Sequence, residues 1–138
     1  MRRVTRSSRH AVLAAAALLG LSCASWFKPD LPAPAGERFE DAWRVYRISE
    51  DSKAMAVAID DASGRRVWGY RYGYLSQDGA SKGALKDCTE RAQARGLAAR
   101  CHLFAIGNRR SPAAVAACAD GRAQKSFCDL MNDLIPPR

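Results

Sequence analysis

Five cysteines in 138 residues, at positions 23, 88, 101, 118 and 128, constrain this chain more than any other feature. Five cannot all pair within one chain. Whether four of them do depends on the compartment, because disulfides persist in oxidising surroundings and are rare in the cytosol. The N-terminus bears on that choice. Arg2, Arg3, Arg6 and Arg9 form a basic flank without an acid, and residues 11–21 are an unbroken apolar run of eleven. A membrane-spanning helix takes about 20 such residues. A basic flank, a short apolar core and small residues after it predict a secretory signal peptide over residues 1–22.

The end of that segment admits two cuts. Ser22-Cys23-Ala24 fits a small-x-small pattern, which would release a soluble protein after Ala24. Alternatively, Gly20-Leu21-Ser22-Cys23 resembles the lipobox of bacterial lipoproteins, which implies lipidation at Cys23. Lipidated Cys23 leaves four cysteines, an even set, and leaves no exposed thiol near the mature N-terminus. The cysteine count therefore favours the lipid anchor over soluble secretion. Residues 23–36 hold Pro29, Pro32 and Pro34 and lack apolar periodicity, as in an extended tether of about 3.1 Å per residue. Residues 37–138 then form one small domain, large enough for a modest core.

The formal charge of +8 overstates the domain's basicity. Without residues 1–22 there are 18 Lys and Arg against 14 Asp and Glu, a net +4. The basic runs are only the pairs Arg65-Arg66 and Arg109-Arg110, neither preceded by a Gly-rich loop, so they read as solvated turn residues. No nucleic-acid partner is expected.

Along the domain, Phe39, Ala42, Trp43 and Tyr46 recur at helical spacing. Met55, Val57 and Ile59 then alternate with Ala54, Ala56 and Ala58, as in a strand with one bulky and one small face. A turn at residues 60–64 leads to a second strand that places Trp68, Tyr70, Tyr72 and Tyr74 on one face and Arg71 on the other. Ser76 is a good N-cap for a helix that Gly96 stops, and Gly79 and Gly83 within it predict close approach to another backbone. A third strand covers residues 101–108. Ser111-Pro112 opens a short helix, and Phe127, Leu130, Met131 and Leu134 mark a last one. This order predicts an α+β fold: a small, mostly antiparallel three-stranded sheet with helices packed on one face, stapled by disulfides.

The motifs Lys53-Ala54-x-Ala56-Val57, Trp68-Gly69 with Gly73, and Ser76, Ala80, Ala84, Leu85 and Cys88 on one helix, followed by Cys101, resemble a family of small exported bacterial domains of unknown function. The resemblance spans about fifty residues. It implies export and an α+β fold, and it brings no activity, cofactor or catalytic residue.

Four cysteines allow three pairings. From Cys88 the helix runs about 10 Å to residue 95 at 1.5 Å per residue. Gly96 turns the chain, and five extended residues cover about 15 Å back. Cys101 can thus return beside Cys88, and the same geometry serves Cys118 and Cys128 around Gly121. The expected bridges are Cys88–Cys101 and Cys118–Cys128.

Little else carries chemistry. His102 is the only histidine after the signal segment and lies next to Cys101 on a strand, so the two side chains point to opposite faces. The cysteine spacings lack a zinc knuckle, and the acid pairs at 50–51 and 60–61 sit in turns. No metal or cofactor is expected. The aromatic row is the one sharp candidate: Trp68, Tyr70 and Tyr72 form a binding face if exposed and core if buried, and the bulky neighbours on the first strand favour core. The expectation is a non-enzymatic envelope protein, anchored to a membrane through N-terminal lipid and facing the periplasm, with a possible protein partner there. The alternative is a periplasmic inhibitor or immunity-type protein that plugs a hydrolase with residues 107–112.

Overall fold

The computed structural model describes residues 38–137. The expected signal peptide, the tether and Cys23 lie outside the described residues. Helix α1 (Phe39–Ile48) precedes the hairpin β1 (Ala54–Ile59) and β2 (Arg66–Arg71), then helix α2 (Gln77–Ala94), then β3 (His102–Ile106) and β4 (Arg109–Arg110). Helices α3 (Pro112–Ala119) and α4 (Lys125–Leu134) complete the domain. The strands form one antiparallel sheet in the order β2-β1-β3-β4.

The α+β class, the antiparallel sheet packed against helices and the two disulfides are as expected. Two details differ. The sheet has four strands, because the chain after β3 turns tightly at Gly107 and Asn108 and adds the two-residue β4. Helices also cover both faces. Met55, Val57 and Ile59 point into a cluster with Phe39, Tyr46, Phe104, Phe127 and Met131, which belongs to α1, α3, α4 and the sheet. Ala54, Ala56 and Ala58 point the other way, into a cluster with Val67, Ala80, Ala84, Cys88 and Ala92, covered by α2. A helix backbone can lie close to the sheet on that alanine face, so the small face is a second packing surface and every residue of β1 is buried.

The contact is tightest at Gly69 of β2. A Cβ there would lie 2.5 Å from the Ala84 carbonyl oxygen, the Asp87 Cβ and the Cys88 nitrogen. The close approach expected from Gly79 and Gly83 is therefore made by a strand glycine. Gly83 instead accommodates the Arg71 stem, whose Cγ would be 2.9 Å from an added Cβ. Arg71, the outlier on the small face, reaches both carboxylate oxygens of Asp87 on α2, with Nη2 donating to Oδ1 at 2.6 Å.

The opposite face is aromatic. Phe39 meets Trp68 and Phe104 edge-on at 5.5 and 6.3 Å, and Phe104 meets Phe127 at 5.6 Å. Such pairs add about 0.5–1.5 kcal/mol each beyond their buried area.

Both disulfides follow from helix endings of the same kind. At the end of α2, the Gly96 N–H bonds to the Gln93 carbonyl and the Leu97 N–H to the Ala92 carbonyl. At the end of α3, Gly121 bonds to Cys118 and Arg122 to Ala117 in the same pattern. Each glycine has φ above +60°, which reverses the chain without a Cβ clash. The returning segments bring Cys101 to Cys88, with Cα atoms 6.1 Å apart, and Cys128 to Cys118, 5.8 Å apart.

The aromatic row needs correction. Strand β2 ends at Arg71, so the alternation stops before Tyr72. Trp68 is buried and Tyr70 packs partly against the aromatic cluster, but Tyr72 is exposed and Tyr74 packs on the alanine side. Tyr70 and Tyr72 stack on each other at 6.3 Å.

Candidate functional site

A concavity lies at the end of α1 that faces the β3–β4 turn. It is a cleft of about 500 Å³ between α1, residues 108–110 and residues 134–137. Its position follows from how α1 ends. Helix α1 buries Phe39, Ala42 and Tyr46, which leaves Trp43 half-buried at the rim and Arg47 exposed beyond it. Trp43 stacks on Tyr46 at 5.5 Å with rings inclined by 21°, and it meets Phe104 edge-on at 5.7 Å.

Lys53 fixes the helix end. Its side chain is buried, and Nζ donates to the Arg47 carbonyl at 2.9 Å and the Ser49 carbonyl at 2.8 Å. These are among the carbonyls that a helix C-terminus leaves without partners. The ammonium also sits 5.4 Å above the Tyr46 ring. The other wall hangs from the same two residues. The Tyr46 hydroxyl donates to the Gly107 carbonyl at 2.6 Å, and the Gly107 N–H donates to the Lys53 carbonyl at 2.9 Å. The Gln77 side-chain amide donates to that same Lys53 carbonyl at 2.7 Å. Burial, and then the nearby Asp51 charge, push the Tyr46 hydroxyl well above its ordinary pKa, so it stays a donor. On the third side, Arg110 Nε donates to the Ile135 carbonyl, which ties the segment after α4 to β4.

The electrostatics of the cleft are one-sided. Arg47, Arg109 and Arg110 line it, with Asn108 between, and no lining residue is acidic. Elsewhere the fold matches many cations with carboxylates: Arg66 with Glu40, Arg71 with Asp87, Lys82 with Asp78, Lys125 with Asp129. Among the described residues the three cleft arginines have no ion-pair partner. Asp51 lines a neighbouring recess that shares Asn108 and Arg109 with the cleft.

The polar residues weighed for chemistry are dispersed. Arg71 and His102 do not converge: Arg71 faces α2, whereas His102 lies 5.4 Å from the Phe127 ring on the other side of the sheet. Burial, and then Arg100 and Arg122, hold the His102 pKa below its usual value. Asp60 closes its own turn onto Ser63 and Ala62, while Asp61 accepts from Ser126 and so caps α4. Among the described residues no group of three His, Cys, Asp or Glu is placed to hold a metal ion. Also among these residues, no helix is long and apolar enough to cross a membrane.

Sequence reasoning singled out residues 107–112 as a loop and Arg109-Arg110 as solvated turn residues. It missed their convergence with Trp43 and Arg47, some sixty positions earlier, because nothing in local spacing announces the bond from Tyr46 to Gly107. No protein-family model, curated protein or solved structure matches the chain.

Proposed function

We propose that the chain is an exported cell-envelope protein, held to a membrane through lipid on Cys23, that works as a non-enzymatic binding module. The observation that carries this is the pairing of all four described cysteines in two bridges, which leaves Cys23 as the odd thiol. Bridges of this kind persist in oxidising compartments. The cleft beside α1 is the binding surface. Guanidinium, amide and indole groups line it, which hold charge and shape but do not exchange protons near neutral pH.

Metabolic labelling of cells with a palmitate analogue tests the anchor. The full chain is expected to take label and to fractionate with membranes, and Cys23→Ala is expected to lose both. An unlabelled mature protein that begins at Ser25 would contradict the proposal.

A further inference from the structure

We infer that the cleft between α1 and the β3–β4 turn is a site for an acidic saccharide, one or two sugar rings that bear carboxylate or phosphate groups. This rests on the reading of the protein as a binding module and names its ligand class. Charge is the first ground. Three arginines, Arg47, Arg109 and Arg110, line one concavity that has no lining acid, and none of them has an ion-pair partner among the described residues. The planar fork of arginine matches the two oxygens of a carboxylate or phosphate, and a cluster of such forks repels itself until an anion arrives.

The second ground is shape. A volume of about 500 Å³ falls within the range of small-molecule sites, roughly 300–1,000 Å³. It is bounded on three sides, unlike the flat or ridge-like basic surfaces that meet membranes and nucleic acids. The third ground is the composition of the walls. Trp43 offers a half-buried indole held in place by Tyr46 and Phe104, and Pro136 and Pro137 add rigid apolar rings to the lining. A ring-bearing ligand can rest its C–H face on indole while its acidic groups reach the arginines. Asn108, at the turn, carries both a donor and an acceptor for hydroxyl groups. A fatty acid would leave the polar half of this lining without partners, and a bare inorganic anion would leave Trp43 unused.

The walls are fixed before any ligand binds. The Tyr46 hydroxyl and the Lys53 ammonium and carbonyl join α1 to the turn, and Arg110 holds the segment after α4. Little ordering then remains to be done on binding.

Isothermal titration of the full chain, purified as the cell processes it, tests the inference with four probes: digalacturonic acid, glucose 1-phosphate, neutral galactobiose and adenosine monophosphate. At least one acidic sugar is expected to bind ten-fold or more tightly than galactobiose, and more weakly as salt rises. Comparing the two acidic sugars identifies carboxylate or phosphate as the preferred group. Arg47→Gln and Arg109→Gln, both at exposed positions, are each expected to weaken that binding at least five-fold with unchanged thermal unfolding. Equal binding of galactobiose, adenosine monophosphate binding tighter than both acidic sugars, unchanged affinity in both variants, or no heat with either acidic sugar at 10 mM (on the order of the weakest useful site) would each overturn it. Palmitate labelling at Cys23 is read separately, so the ligand assignment can fail while the envelope assignment stands.

Discussion

Replacing Lys53 by methionine removes a charge that the fold has buried and leaves two helix-end carbonyls without their donor. Methionine keeps most of the stem volume, so packing around Tyr46 changes little. The loss is the pair of bonds from Nζ, at 2.9 Å to Arg47 and 2.8 Å to Ser49. Hydrogen bonds from charged groups contribute about 1.5–3 kcal/mol each. Two of them give roughly 3–6 kcal/mol, from which the relieved desolvation of the ammonium must be subtracted. Both bonds are only partly buried, so water can soften the loss further. The expected net cost is about 2–4 kcal/mol, a large share of the roughly 5–15 kcal/mol that holds a small domain together. Urea unfolding followed by circular dichroism, with both bridges intact, measures it. At a slope of about 1–3 kcal/mol per molar, the midpoint should fall by about 0.7–4 M. Tyr46→Phe, which deletes the hydroxyl that holds Gly107, should cost about 1 kcal/mol. The double variant should depart from additivity by at least about 0.5 kcal/mol, because both residues fix the same turn. A Lys53→Met cost under about 0.5 kcal/mol would show that Lys53 does not hold the end of α1, and the account of the cleft walls would fall with it.

Three further perturbations probe the rest of the domain. Gly69→Ala puts a Cβ 2.5 Å from the α2 backbone and should cost about 3 kcal/mol or prevent folding; wild-type stability would mean that α2 sits farther from the sheet. Removing the Cys88–Cys101 bridge should cost more than removing Cys118–Cys128, each within about 2–5 kcal/mol, because the first joins α2 to the sheet; non-reducing peptide mapping that links Cys88 to Cys118 or Cys128 would refute the pairing itself. His102 has a depressed pKa in the fold, so the unfolded chain binds its proton first as pH falls through about 6.5, and stability should drop on acidification until the folded state also protonates. His102→Gln should flatten that part of the Tm profile between pH 7.5 and 5; an unchanged slope would assign the acid sensitivity to other groups.

What could be read from the sequence was what short-range chemistry controls. The alternation of Met55, Val57 and Ile59 with three alanines fixes the two faces of β1. Ser76 and Ser111 accept the Gly79 and Ala114 N–H groups as N-caps do. The cysteine pairs follow from helix rise and the reversals at Gly96 and Gly121. The misplaced features depend on contacts between distant segments. An alanine face can be left to solvent or packed under a helix, and only the approach of α2 at Gly69 decides which. Tyr72 continues a period-2 pattern on paper, but the chain leaves the sheet after Arg71 to reach the cap at Ser76. The cleft needs Trp43 and Arg47 from one end of the domain and residues 108–110 from the other, joined by a hydroxyl and an ammonium whose partners are backbone carbonyls. Carbonyls belong to every residue alike, so no side-chain pattern could have indicated them.

The alanine face of β1 carries a consequence for how the chain can drift in sequence. On the aromatic side, side chains such as Phe104 and Phe127 can be shortened, and each truncation leaves a hole that costs about 3–5 kcal/mol. On the α2 side there is almost nothing left to shorten: Ala54, Ala56, Ala58, Ala80 and Ala84 are already one carbon, and they give up no rotamer freedom on burial. Apart from glycine, which frees the backbone, substitution there can only enlarge. The two halves of one sheet should therefore accept opposite kinds of change, the aromatic half exchanging bulk among neighbours and the alanine half admitting little but serine or glycine, so that over time the second would vary less than its plain composition suggests.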